Sequence, residues 1–370
     1  MKENRNQSSD FLSEEKPFEK FDWILLLTAA SIWGSSFFFM DVALEAEHPG
    51  LITWLRPTLG FFALVWLPSA RKPIETSDWW AIIFLAFTWM AFPFTMFPIA
   101  QQWIDSSVTG MLNSAMPIMT LIIGLLIFGV PVRKVQVIGL LLGAMGISMV
   151  GLPTINGGGT SALGVLLVLL AMTSYAVSVN MAGPLQRKYG SLPVLSRVLA
   201  ISSLLTMPFG VYGMMNSIWS LKAIGANLAV GIGGTGVAYA AATTLTGRVG
   251  ALRTSIVTYL IPIVASLLGV FLLKEKLSFW ELFGVVVLLL GAWLTTRTEI
   301  NPTSIFKSKI FVSIFNVFFP NGPSTFSKLP FKITFTLSGI EIFILPIFDI
   351  KIPYKLFRHQ LFVFLHLYQS

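Results

Sequence analysis

The sequence predicts an all-α polytopic membrane protein, with ten transmembrane helices arranged as two inverted five-helix repeats. Three observations predict it. Apolar residues make up 55% of the 370 and charged residues only 11%, with a mean hydropathy of +0.77. A soluble domain carries about 25% charged residues, so the surplus apolar surface needs lipid. Apolar runs long enough to span a bilayer, about 17–25 residues each, fall at 22–41, 51–69, 79–100, 108–128, 134–152, 162–182, 196–215, 223–246, 253–273 and 279–296. Finally, residues 108–149 lie on residues 253–294 without a gap, at an offset of 145 positions. That offset puts Pro117 on Pro262, Gly124 on Gly269, Gly139 on Gly284 and Gly146 on Gly291. The shared residues are those that bend helices or let them approach closely.

Ten helices in two halves means five per half. An odd number forces the second half to enter the membrane upside down, the arrangement that permits alternating access around a site near the midplane. In chain order, residues 1–21 form a polar tail of mixed charge. Residues 22–152 form the first repeat, and the Gly157-Gly158-Gly159 run marks the junction. Residues 160–297 form the second repeat, where Tyr175-Ala176 resembles Trp33-Gly34 and Arg197 resembles Arg56. Residues 298–370 are a different kind of chain. From 301 onward there is no alanine, but 13 of the 31 phenylalanines. Its apolar runs at 310–319 and 340–350 are too short and too broken to span. Phe, Ile and Lys come from AT-rich codons, so a frameshifted or read-through tail and an interfacial appendage are the two readings of this stretch.

Charge reports orientation. With the N-terminus inside, the inner segments collect Lys2, Arg5, Lys16, Lys20, Arg71, Lys72, Arg133, Lys134, Arg187, Lys188, Arg248 and Arg253. The outer loops collect only Lys222, Lys274 and Lys276. This is a positive-inside bias, and it predicts a multi-pass protein of the plasma (inner) membrane with a cytoplasmic N-terminus. The net charge of +8 therefore reflects loops and tails and does not point to nucleic acid. The expected partners are the lipid bilayer and a small-molecule solute, and a homodimer stays open. No cofactor or metal is called for. There is no cysteine, the three histidines are scattered, and no HExxH, Walker loop or GxSxG occurs. Residues 231–236 satisfy GxGxxG, but inside an apolar span with no strand before it. Close helix packing, or a locally unwound stretch beside a cavity, accounts for it better.

Polar side chains inside a bilayer belong on a bundle interior or a wet cavity. Thr109, Asn113, Pro117, Thr120 and Gly124 form one stripe in the fourth helix, at helical spacing. Thr254, Thr258, Pro262, Ala265 and Gly269 form its counterpart in the ninth. Each proline should free a carbonyl one turn earlier, at Asn113 and at Thr258. With Trp33, Ser35, Tyr175, Tyr239 and Tyr259 as walls, the two stripes define a candidate substrate site, and Pro117 and Pro262 are the expected kinks. Any one of these hydroxyls can instead bond back to its own helix. Arg56, an arginine within a span, either snorkels or pairs with Asp41, Glu45 or Glu47, or else binds a substrate anion.

Several of these residues carry a resemblance. Trp33-Gly34-Ser35-Ser36-Phe37 resembles the opening of the EamA family in the drug/metabolite transporter superfamily, and Leu55-Arg56 resembles its second-helix LR. Pro117 and Pro262 match its mid-helix proline, and Lys274-Glu275-Lys276-Leu277-Ser278 before Gly284 is similar to its helix nine–ten junction. Gly129-Val130-Pro131 departs from it, standing where that family usually has a glutamate. The resemblance covers about residues 22–297 and implies a non-enzymatic exporter of amino acids, other metabolites or drugs. A membrane-embedded enzyme acting on a lipid-linked substrate is the alternative. Such an enzyme needs clustered Asp, Glu or His, and only the Asp41–His48 loop approaches that.

Overall fold

The computed structural model describes residues 18–127, 132–156, 162–249 and 254–296, together with 333–337 and 340–344. Among the described residues, ten apolar helices carry the fold. In chain order these are α1 (Lys20–Leu44), α2 (Pro49–Val65), α3 (Thr76–Ala100), α4 (Ser106–Leu126) and α5 (Lys134–Asn156), then α6 (Ala162–Tyr189), α7 (Ser191–Met215), α8 (Leu221–Thr246), α9 (Ile256–Leu273) and α10 (Phe279–Thr296). Nine of them reach 18 residues or more, and α2 has 17, the lower limit for a span. Two short strands, β1 (Ile333–Leu337) and β2 (Ile340–Ile344), pair antiparallel in the tail, with Ile333 opposite Ile344.

Local sequence sets where the helices start. Pro49 opens α2 as its first residue, and the Nδ1 of His48 accepts from the N–H of Gly50 at 3.0 Å. Ser278 and Glu281 cap α10 reciprocally, the Ser278 N–H donating to Glu281 at 2.6 Å and the Glu281 N–H to the Ser278 hydroxyl at 3.2 Å. The second span ends earlier than its hydropathy suggests. Pro68 cannot continue the helix, and a 3₁₀ turn, Pro68–Arg71, follows instead.

The glycines that the two halves share explain how those halves meet. A Cβ on Gly139 would strike the Gly291 carbonyl, one on Gly146 the Leu288 backbone, and one on Gly284 the backbone at Met149 and Val150. Rising numbers on α5 thus meet falling numbers on α10, so these equivalent helices run antiparallel in backbone contact. The same holds for α2 against α7, where Leu51 meets Gly213, Trp54 meets Gly210, and the Thr58 hydroxyl lies 2.6 Å from that of Ser203. It holds again for α4 against α9, with Ser107 beside Gly269 and Gly110 beside Ala265. Three pairs of equivalent helices in opposite directions are the inverted repeat in physical form.

The third helix of each half departs from regular α-helix in a way the hydropathy pattern does not announce, as does the end of α9 at Gly269–Leu273. Ala86–Ala91 in α3 and Ala229–Val237 in α8 are π-helical, each in the third helix of its half. A π turn leaves carbonyls off the regular ladder, and each must find a donor. In α3 the Thr88 carbonyl accepts from the Ser174 hydroxyl of α6 at 2.7 Å, and the Ala86 carbonyl accepts from Ser202 of α7, also at 2.7 Å. In α8 the Gly234 carbonyl accepts from the indole N–H of Trp33 in α1 at 2.9 Å. Thr235 Oγ1 accepts from Arg56 Nε of α2 at 3.5 Å. The π segments of α3 and α8 are therefore each held by the first two helices of the opposite half. The glycines of residues 231–236 serve this packing: Gly231 faces Leu59, Gly234 faces the Ser36 hydroxyl, and Gly236 faces Ala63.

Ion pairs gather at the helix ends. Arg248 reaches Asp22 at 2.5 Å and Glu19 at 2.8 Å, Lys188 bridges Glu75 and Asp78, and Lys222 meets Glu45 at 2.6 Å. Because no space separates α5 from α10, Gly146→Ala is expected to destabilise the fold by about 1–3 kcal/mol. A lowered thermal midpoint of the purified protein in detergent checks this; an unchanged midpoint contradicts it.

Candidate functional site

Seven helices from both halves line a half-open cavity of about 240 Å³. Helix α1 supplies Trp33 and Phe37, α2 Arg56, α3 Trp89 and Phe97, and α4 Asn113 and Met116; from the second half, α6 supplies Tyr175 and Val179, α8 Tyr239, and α9 Thr258 and Ile261. Among the described residues, α5, α7 and α10 contribute none to the wall, which fits the role of α5 and α10 as backbone-packed partners.

The walls are aromatic and interlocked. Tyr239 meets the Trp33 ring edge-on at 5.2 Å and the Trp89 ring at 6.1 Å, while Phe97 contacts Phe37 at 5.6 Å and Tyr175 at 6.0 Å. Such edge-to-face contacts fix ring orientation beyond what burial alone does. The bond from Trp33 to Gly234 holds the first ring in place, so the π segment of α8 positions a wall of the cavity from behind.

Of the sequence-predicted residues, Trp33, Arg56, Asn113, Tyr175, Tyr239 and Thr258 line the cavity. Ser35 and Tyr259 do not. The Ser35 hydroxyl folds back on the Ile32 carbonyl at 3.0 Å. Tyr259 points one helical step away from Thr258, toward α10, where its hydroxyl lies 3.0 Å from that of Thr296 and donates to the Ala292 carbonyl at 3.3 Å. Neither proline is a wall. Pro262 is buried within an unbroken helix, and Pro117 follows a 3₁₀ turn, Asn113–Ala115. In that turn the Asn113 carbonyl, expected to be free, accepts from the Met116 N–H. Its side-chain amide is what has no hydrogen-bond partner among the described residues. The other stripe hydroxyls largely bond to their own helices, Thr109 to the Asp105 carbonyl and Thr120 to the Met116 carbonyl among them. Trp89, Phe37 and Phe97 were not anticipated. Nothing in a uniformly apolar span marks which aromatic faces inward, and the π turn at Ala86–Ala91 shifts the register of α3 just where Trp89 sits.

Arg56 is the one charged wall residue. It is 8% exposed, its guanidinium lies 3.9 Å from the centroid of the Phe94 ring, and its N–H groups reach Thr235 at 3.5 Å and the Met40 sulfur at 3.8 Å. None of the acids named in the sequence reading pairs with it. Glu45 holds Lys222, and Glu47 accepts from Asn227. Burial raises the Glu47 carboxyl above the usual carboxylate range, and the Asn227 bond only partly opposes that. Arg197, the counterpart of Arg56 in the other half, is instead satisfied by the Ala70 and Arg71 carbonyls and the Ser196 hydroxyl.

Helix α4, which carries Asn113, is fixed from the other repeat. After α9 the chain turns through Lys274, the non-glycine residue with positive φ (62°) among those described, and presents Glu275 to the start of α4. Its carboxylate accepts from the N–H and hydroxyl of Ser106, at 2.9 and 2.8 Å, and from the Ser107 N–H at 3.1 Å. An acid at a helix N-terminus satisfies orphan donors and the positive end of the dipole together. A Cβ on Gly269 would collide with this carboxylate, which is why that position is glycine. Beside it, burial and the charges of Glu275 and Glu281 raise the Asp105 carboxyl above its ordinary range. The counterpart at Gly129-Val130-Pro131 lies outside the described residues.

An apolar bundle of two inverted repeats, enclosing a cavity built from both, defines a multi-pass membrane transporter. The chain belongs to the EamA-like transporter family, which matches residues 21–152 and again residues 162–297. Among curated relatives it is 24% identical to the "Probable amino-acid metabolite efflux pump" of Escherichia coli (strain K12), over 74% of this chain and 94% of that one. It is 21% identical to the "Uncharacterized transporter YoaV" of Bacillus subtilis (strain 168), over 74% and 96%. It is 26% identical to the "Uncharacterized inner membrane transporter YedA" of Escherichia coli (strain K12), over 71% and 89%. One crystal structure superposes with a TM-score of 0.52 and 17% identity, over 74% of this chain and 96% of that one, a likeness of fold.

Three charge-assisted hydrogen bonds end on Glu275. Glu275→Ala is expected to destabilise the protein by about 1.5–3 kcal/mol, and Glu275→Gln, which keeps an acceptor oxygen, by less. Thermal unfolding of the two variants side by side checks the order.

Proposed function

We propose that the protein is a secondary transporter that exports small metabolites, amino acids or related compounds foremost, by alternating access. The observation that carries this reading is the cavity itself. It is walled by both inverted repeats, its buried Arg56 guanidinium has only long contacts to Thr235 and Met40, and the half-buried Asn113 amide has no hydrogen-bond partner among the described residues. Such groups offer hydrogen bonds to a solute at the junction of two halves that rock against each other. The relative named as an amino-acid metabolite efflux pump supports the solute class and the direction. In this reading Trp33, Arg56, Asn113, Tyr175, Tyr239 and Thr258 contact the solute. The protein sits in the plasma (inner) membrane with its N-terminus in the cytoplasm, as the distribution of Lys and Arg favours.

Efflux from proteoliposomes loaded with a panel of amino acids and cationic drugs is the direct test. Movement of no solute, alongside turnover of a lipid substrate, would favour the enzyme alternative. Asn113→Ala and Thr258→Ala are each expected to slow transport about fivefold, the equivalent of about 1 kcal/mol for one hydrogen bond, with little change in thermal stability. Normal transport in both variants would show that the stripes serve packing alone.

Orientation has its own test, since the chain contains no cysteine. Single cysteines at the exposed positions 187 and 222 should divide in intact cells. Lys222→Cys is expected to react with a membrane-impermeant maleimide, and Arg187→Cys only after the cells are opened. The reverse pattern would place the N-terminus outside.

A further inference from the structure

The charge of the cavity allows the solute class to be narrowed, on the footing of the transporter reading above. We propose that the site selects singly charged carboxylates with an apolar or one-ring aromatic body, and rejects cations. The wall residues are Trp, Phe, Tyr, Met, Val and Ile, together with Asn113, Thr258 and Arg56. No Asp, Glu, Lys or His is among them, so the wall carries one positive charge and no negative one.

That charge is poorly compensated by the protein. A buried ion normally has a counter-ion or a full set of strong hydrogen bonds. Arg56 has one long bond to a hydroxyl, one contact to a thioether sulfur and one aromatic face. Among the described residues no carboxylate pairs with it. A guanidinium presents five donors in a planar fork that matches two carboxylate oxygens, and this one has most of its donors unused. Its counterpart Arg197 shows what a structural arginine at that place in the repeat looks like, with carbonyls and a hydroxyl around it. Arg56 has been left without them, beside a cavity.

Aromatic walls on their own would attract a cation through the ring quadrupole. Here the fixed guanidinium opposes that, because like-charge repulsion in a low-dielectric cavity exceeds the attraction of a ring face. For an anion the two effects cooperate: the fork binds the head and the rings enclose the body. A zwitterion falls between, since its ammonium finds neutral acceptors, the Asn113 side-chain oxygen and the Thr258 hydroxyl, and no carboxylate. The cavity, of about 240 Å³, has room for one ring and a short chain.

Three probes with one phenylethyl body and different charge test this on the purified full chain in detergent by calorimetric titration: 3-phenylpropanoate, L-phenylalanine and phenethylamine. The acid is expected to bind at least tenfold more tightly than the amine, with phenylalanine between them. Arg56→Gln should lose at least tenfold in affinity for the acid and none for the amine, and should melt no lower than the parent protein, because an uncompensated buried charge has been removed. Arg56→Lys keeps the charge and should keep the order of the probes, with weaker binding of the acid. An amine that binds as tightly as the acid to the parent protein overturns the proposal, as does undiminished binding of the acid by folded Arg56→Gln. Should Arg56→Gln fail to fold, the probe order on the parent and on Arg56→Lys still decides. Binding of none of the three also overturns it, and the proteoliposome panel then shows separately whether the transporter reading stands.

Discussion

The rest of the structure depends on an exchange of hydrogen bonds between the two halves. Each half contains a π segment, Ala86–Ala91 or Ala229–Val237, whose backbone would be left under-satisfied inside a membrane. In the third helix of each half these carbonyls are met by side chains of the other half, Ser174 and Ser202 in one direction and Trp33 in the other. In lipid there is no water to take their place. Neither half can be fully satisfied alone, so the two repeats are bound to each other by backbone chemistry as well as by apolar contact. The Trp33 bond also fixes one cavity wall in its position.

This arrangement divides the helices by task. Where glycines let backbones touch, as between α5 and α10, the contact is dense and carries no cavity residue. Where aromatic side chains meet edge to face, as at Trp33, Tyr239 and Trp89, rings leave space between them. One membrane-embedded chain thus holds a tightly packed seam and an open chamber, with small residues at the one and aromatic residues at the other.

Much of this was legible in the sequence, for identifiable reasons. Lipid imposes long apolar runs, so the number of helices followed from hydropathy, and the shared glycines and prolines carried the repeat. Helical spacing placed Asn113 and Thr258 on the cavity side of α4 and α9. The errors are those of one helical step or of local irregularity. Tyr259 adjoins Thr258 in sequence but turns toward α10, because successive residues on a helix face different neighbours. Trp89 escaped because a π turn has no composition of its own and shifts the register after it. The two arginines looked alike in sequence, and only their surroundings distinguish the one set among carbonyls from the one set over Phe94.

The seam between α5 and α10 has a mechanical consequence. Side chains let packed helices slide, because rotamers can rearrange to accommodate a new register. Where Gly139 and Gly143 on one helix meet Gly291 on the other there are no rotamers to rearrange, and main chain rests on main chain, as it does again where Gly146 meets the Leu288 backbone. Any translation there would have to break every contact at once. The pair therefore forms one stiff element of the bundle, set apart from the seven helices that line the cavity.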